Sequence, residues 1–116
     1  MSNLTLKQCR KLKDWGFPQD ESMFYYLQNV GVGEWVIVYV ALIPASVIGG
    51  ELCIACPSLE ALLEWGDAQC SEPIDLVWSG SARRPRWSSR GNDKYYGHSY
   101  PTRIEAVYAL LKEVMR

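Results

Sequence analysis

The sequence predicts an α+β fold in which helices pack on an antiparallel sheet, with elements in the order α-β-β-(β)-α-β-β-α. Three observations predict it. Stretches with helical apolar spacing and marked ends stand at 4–18, 57–66 and 101–116. Stretches rich in aromatic and β-branched residues lie between them at 23–30, 34–43 and 74–81. Strands joined by short turns, with helices interspersed, favour a layer in which helices cover one face of an antiparallel sheet. The 116 residues suit one domain spanning 1–116, and 48% hydrophobic with 22% charged residues argues against disorder.

The first helix is read from "LTLKQCRKLKDWGFPQ". Thr5 caps it, Gln8 completes a Thr-x-x-Gln box, and Leu4 faces Cys9 as a hydrophobic staple. Gly16 supplies a left-handed stop, with Pro18 just beyond. Leu6, Cys9 and Leu12 or Trp15 form a narrow apolar stripe, and Lys7, Lys11 and Lys13 stay in water. "MFYYLQNV" and "EWVIVYVALI" read as an antiparallel pair joined by "GVG" at 31–33. The second of them is almost continuously apolar, so it is expected at the sheet centre or covered on both faces. "PASVIGG" is a turn region, and "ELCIA" is a third short strand.

Pro57 and Ser58 open a helix whose stripe is Leu59, Leu62, Leu63 and Trp65, whose outer face is acidic, and which Gly66 ends. "IDLVWSGS" reads as a strand. "PTRIEAVYALLKEVMR" has the strongest helix signal: Thr102 and Glu105 make a capping box, and Ile104, Val107, Tyr108, Leu111, Val114 and Met115 recur along one face. No internal repeat is present.

The longest apolar run, 35–50, is broken by Pro44 and is too short to span a bilayer. The polar N-terminal stretch has no secretory pattern, which points to the cytoplasm. Four scattered cysteines do not make a disulfide scaffold. Cys53 and Cys56 have the spacing of half a zinc site or of a redox pair. Without a second close pair they read better as small buried apolar side chains at a strand end, and no metal or cofactor is expected.

The net charge of −1 hides an asymmetry. Residues 51–75 contain Glu51, Glu60, Glu64, Asp67, Glu72 and Asp75 without a Lys or Arg, a local charge of −6. Residues 79–100 contain Arg83, Arg84, Arg86, Arg90 and Lys94 against Asp93 alone, a local charge of +4. Those two fields can face each other within the fold, face each other across a homodimer, or face separate partners.

Taken together, "LTLKQCRKLKDWGFPQ", "CPSLEALLEW" and "PTRIEAVYALLKE" resemble segments of small accessory proteins of phages and prophages. The resemblance covers about half of the chain and consists of capping signatures. It implies a phage accessory protein working in the host cytoplasm, and it carries over no catalytic residues. The stretch 79–100 departs most from that pattern, being longer and more basic.

Catalysis needs a positioned acid, base or nucleophile. His98 is the single histidine, no Gly-x-Ser-x-Gly, Walker, GxGxxG or HExxH pattern occurs, and Glu60 with Glu64 suits a solvated helix face. A non-enzymatic function is therefore expected. Arginine forks recognise phosphates and aromatic faces stack on bases, and here four arginines interleave with Trp78, Trp87, Tyr95, Tyr96 and Tyr100. The expected contact residues are Arg83, Arg84, Arg86, Trp87, Arg90, Tyr95, Tyr96 and His98. The same composition also suits an exposed hairpin with arginines for solubility and Trp78, Trp87 and Tyr100 packed into the sheet.

A pI near 5.8 and the acidic stretch disfavour duplex DNA. The expected partner is a host protein or a small anionic, nucleotide-like ligand whose occupation interferes with a host system such as defence. The alternatives are a small hydrolase or nuclease centred on His98, and a structural homodimer in which acidic and basic fields meet.

Overall fold

The computed structural model describes residues 3–29, 31, 33–70, 74–79, 86–91, 94–95 and 100–115. Its elements are α1 (Leu6–Asp14), β1 (Phe24–Gln28), β2 (Trp35–Tyr39), a 3₁₀ turn (Val40–Leu42), β3 (Cys53–Cys56), α2 (Leu59–Gln69), β4 (Asp75–Ser79), β5 (Arg86–Gly91), β6 (Lys94–Tyr95) and α3 (Arg103–Val114). The fold is α+β with antiparallel pairing throughout these strands. The strands are divided between two three-stranded sheets, ordered β2-β1-β3 and β4-β5-β6. The chain forms two compact units, one of Asn3–Ser58 and one that includes Leu59–Arg116.

In the Asn3–Ser58 unit, α1 begins as its sequence dictates. The Gln8 N–H donates to Thr5 Oγ1 at 3.2 Å and the Thr5 N–H donates to Gln8 Oε1 at 2.8 Å, so two otherwise orphaned donors are satisfied reciprocally. Leu4 and Cys9, the expected staple, are both fully buried. The helix ends in a Schellman arrangement: Phe17 N–H donates to Leu12 O at 2.9 Å and Gly16 N–H to Lys13 O at 3.1 Å. That geometry needs the left-handed φ of +100° at Gly16, which a side chain would strain.

Strand β1 is the middle strand of the first sheet. It pairs Tyr26 with Ile37 on one side and with Ile54 on the other. The β1–β2 connection is a six-residue loop in which Asn29 N–H donates to Glu34 O at 2.8 Å and Gly33 N–H to Asn29 O at 2.7 Å. Ladder parity places Phe24, Tyr26, Gln28, Trp35, Ile37, Tyr39, Ile54 and Cys56 on one face. Helix α1 lies on that face: Tyr26 Oη donates to Leu4 O at 2.6 Å, and the Arg10 guanidinium sits 5.0 Å from the Trp35 ring centroid. Tyr25, Cys53 and Ala55, on the other face, are also buried.

Strand β2 corrects the sequence reading. It is an edge strand, not a central one, and none of its five residues is buried. A continuous apolar run does not say whether a strand has neighbours on both sides, and among the described strands β2 pairs with β1 alone.

In the second unit, α3 packs against α2 and against β4 and β5. Ile104, Ala106, Val107, Ala109, Leu110 and Leu111 are buried, a broader band than one stripe, because the helix meets a helix and a sheet at once. Thr102 Oγ1 accepts from the Glu105 N–H at 3.3 Å, which supplies the expected cap. Gly66 also corrects the sequence reading. It does not stop α2, which runs on to Gln69. It is buried, and a Cβ there would stand 2.7 Å from Ile74 Cδ1 and 3.2 Å from Leu111 Cδ2. This glycine permits close packing; it is not a cap.

Candidate binding surface

The basic aromatic segment is built on a ladder. β4 and β5 pair Ser79 with Arg86, Trp78 with Trp87 and Asp75 with Arg90, and β5 pairs Arg90 with Tyr95 of β6. The predicted order holds a second strand between the last two helices but does not place it, because "RWSSRG" has neither β-branched residues nor apolar alternation. The partner strand "DLVWS" supplies the template, and pairing overrides local preference.

Parity then sorts the expected contact residues. Positions 86, 88 and 90 share one side of the ladder with 75, 77, 79 and 95, while positions 87, 89 and 91 share the other with 76, 78 and 94. The structure therefore brings Arg86, Arg90 and Tyr95 to one side and separates them from Trp87. Sequence reasoning placed rings and arginines together because it saw interleaving along the chain; a period of two turns interleaving into segregation. Arg83, Arg84, Tyr96 and His98 lie outside the described residues.

The acidic field is partly in view. Glu60, Glu64 and Asp67 are exposed on α2, and Asp67 Oδ1 accepts from the Ile74 N–H at 2.8 Å, tying the helix to the entry of β4. Asp75 stands opposite Arg90 in the ladder, so at that position the acidic and basic stretches meet.

The cysteines do not form a chelating cluster. Three residues apart in an extended strand, Cys53 and Cys56 fall on opposite faces. They also precede α2 and do not open it, unlike a redox pair at a helix N-terminus. Cys56 instead meets Cys9 of α1. The shared hydrogen bond, together with burial, pushes the Cys9 thiol well above its ordinary value and lowers Cys56 against the opposing effect of burial. Among the described residues, no group of three or more His, Cys, Asp or Glu side chains could hold a metal ion, and no helix is long and apolar enough to cross a membrane.

A second surface escaped the sequence reading. Around β2, Val36 is 48% exposed, Ile37 41%, Tyr39 42% and Leu42 76%, and Phe24 stacks obliquely on Tyr39 with centroids 5.5 Å apart. The signal available was the apolar run itself, which does not say whether a strand is central or at an edge.

No family model, no curated protein and no solved structure matches this chain.

Proposed function

We propose that this protein is a non-enzymatic binder that captures a phosphate-bearing small molecule on the Arg86, Arg90 and Tyr95 side of the β4-β5-β6 ribbon. It is an accessory protein of the phage type that interferes with a host system by sequestration. The observation that supports this reading most is the register. Two guanidinium-bearing positions, four residues apart, share one side of one strand, with a tyrosine position directly across from one of them. Guanidinium forks bind phosphate oxygens in pairs, and a phenol ring supplies a stacking face or a hydroxyl donor. Asp75 opposite Arg90 limits the net positive charge, which suits a small anion better than a long polyanion.

A thermal-shift screen against mononucleotides, dinucleotides and cyclic nucleotides tests the proposal. Ligand at about 100 times its Kd stabilises the folded state by about 2.7 kcal/mol. A rise in Tm of several degrees with at least one phosphate-bearing compound is expected. No rise with any of them, up to millimolar concentration, overturns the reading.

A further inference from the structure

We infer that β2 is a homodimerisation edge: two copies of this chain pair their β2 strands antiparallel about a two-fold axis at Ile37, joining two three-stranded sheets into one of six strands. The backbone sets this register. Val40 N–H donates to Met23 O and Asn29 N–H to Glu34 O, so alternate β2 positions 34, 36, 38 and 40 bond inward to β1. Trp35, Ile37 and Tyr39 therefore turn their N–H and C=O groups outward along the sheet edge.

With the axis at Ile37, Ile37 meets its own copy and Trp35 meets Tyr39 of the partner subunit. Every outward backbone group of the strand then gains a partner, and the facing side chains are aliphatic with aliphatic and aromatic with aromatic.

Side-chain chemistry favours a second copy as occupant. Residues 35–50 contain no charged side chain, and the nearby charges, Glu34 and the Arg10 guanidinium over Trp35, stand at the ends of the seam away from the axis at Ile37. The strand also lacks the lysine, proline or bulge by which exposed edges are commonly blocked. Val36, Ile37 and Tyr39 of the edge strand and Leu42 just beyond it are exposed, so apolar side chains flank the seam on both faces of the sheet. Helix α1 packs over β3, two strands in from the edge, and reaches β2 through Arg10 on the Trp35 ring, on the sheet face and not on the outward backbone groups.

Sedimentation of the full chain from micromolar to hundreds of micromolar tests the inference. A monomer–dimer equilibrium is expected, with the dimer at twice 13.2 kDa. Ile37→Lys, which places two ammonium groups beside the axis, should shift the dimer Kd upward at least tenfold while leaving the circular dichroism spectrum unchanged. A wild-type chain that stays monomeric overturns the inference, as does a dimer insensitive to a folded Ile37→Lys.

Cross-linking guards against a variant that fails to fold. Opposed residues of a hydrogen-bonded antiparallel pair have Cα atoms about 5.5 Å apart, within disulfide reach. In a Cys70→Ser background, Ile37→Cys should give a disulfide dimer under mild oxidation by diamide. Glu34→Cys, about 20 Å from its own copy in this register, should not. Equal cross-linking at both positions overturns the register.

Discussion

Thr5 and Gln8 hold the start of α1 through two hydrogen bonds that no other group replaces. Thr5→Ala should lower stability by about 1 kcal/mol, readable as a lower urea midpoint with an unchanged slope. Gly66 makes a different case. Leu in its place must displace Ile74 and the fully buried Leu111, so Gly66→Leu should cost about 1–3 kcal/mol in the same measurement. Gly66→Ala should cost far less, because the helical preference of alanine offsets the displacement of a movable Ile74 tip.

Titration is also a residue-scale matter. Burial raises the Cys53, Cys70, Tyr25 and Tyr26 groups, and burial with the Cys56 hydrogen bond raises Cys9. Each folded-state value lies above the unfolded one, so each contribution is complete below the ordinary thiol value of 9.0 or phenol value of 10.0 and is lost as pH rises. Cys56 is shifted the other way. With five groups raised against one lowered, the denaturant midpoint should fall between pH 8.5 and about 10.5. A midpoint constant over that range would contradict the burial of these groups.

At the scale of elements, caps were legible because they are local, whereas the stripes were legible in part: Leu62, Ile104, Val107 and Leu111 are buried, but Leu59, Leu63, Trp65, Tyr108, Val114 and Met115 are half-buried. The Thr5 box, the Gly16 stop and the Thr102 cap depend on residues a few positions apart, and each holds in the structure. Three features were not legible, for one shared reason: they depend on partners distant in sequence. β2 has an interior composition at an edge position, Gly66 continues a helix with Leu111 packed over it, and the expected second strand of the last unit falls on "RWSSRG" because β4 lies beside it. The candidate site was half legible in the same sense. Composition marked 79–100 as basic and aromatic, but only register could put Arg86, Arg90 and Tyr95 on one side and Trp87 on the other. That separation predicts that Arg86→Ala weakens ligand binding at least tenfold, whereas Trp87→Phe leaves affinity within about twofold, both readable by calorimetric titration.

For the whole molecule, two electrostatic regimes coexist in one chain of net charge −1. Residues 35–50 carry no charge, and residues 51–75 and 79–100 carry opposite ones. Ionic strength therefore separates the two proposed interactions. Pairing through β2 should be insensitive to salt between 50 and about 500 mM, while capture of a phosphate-bearing ligand should weaken over the same range as charges are screened. A dimer that dissociates in salt would instead indicate contact between the acidic and basic stretches.

Calorimetric titration of nucleotides, cyclic ones included, into the wild-type chain and the Arg86→Ala/Arg90→Ala variant tests the proposed site most directly. Saturable binding by the wild type is expected, with its loss in a variant whose unliganded melting temperature is unchanged. Binding that survives both substitutions, or no binding of any phosphate-bearing compound by the wild type, would contradict it.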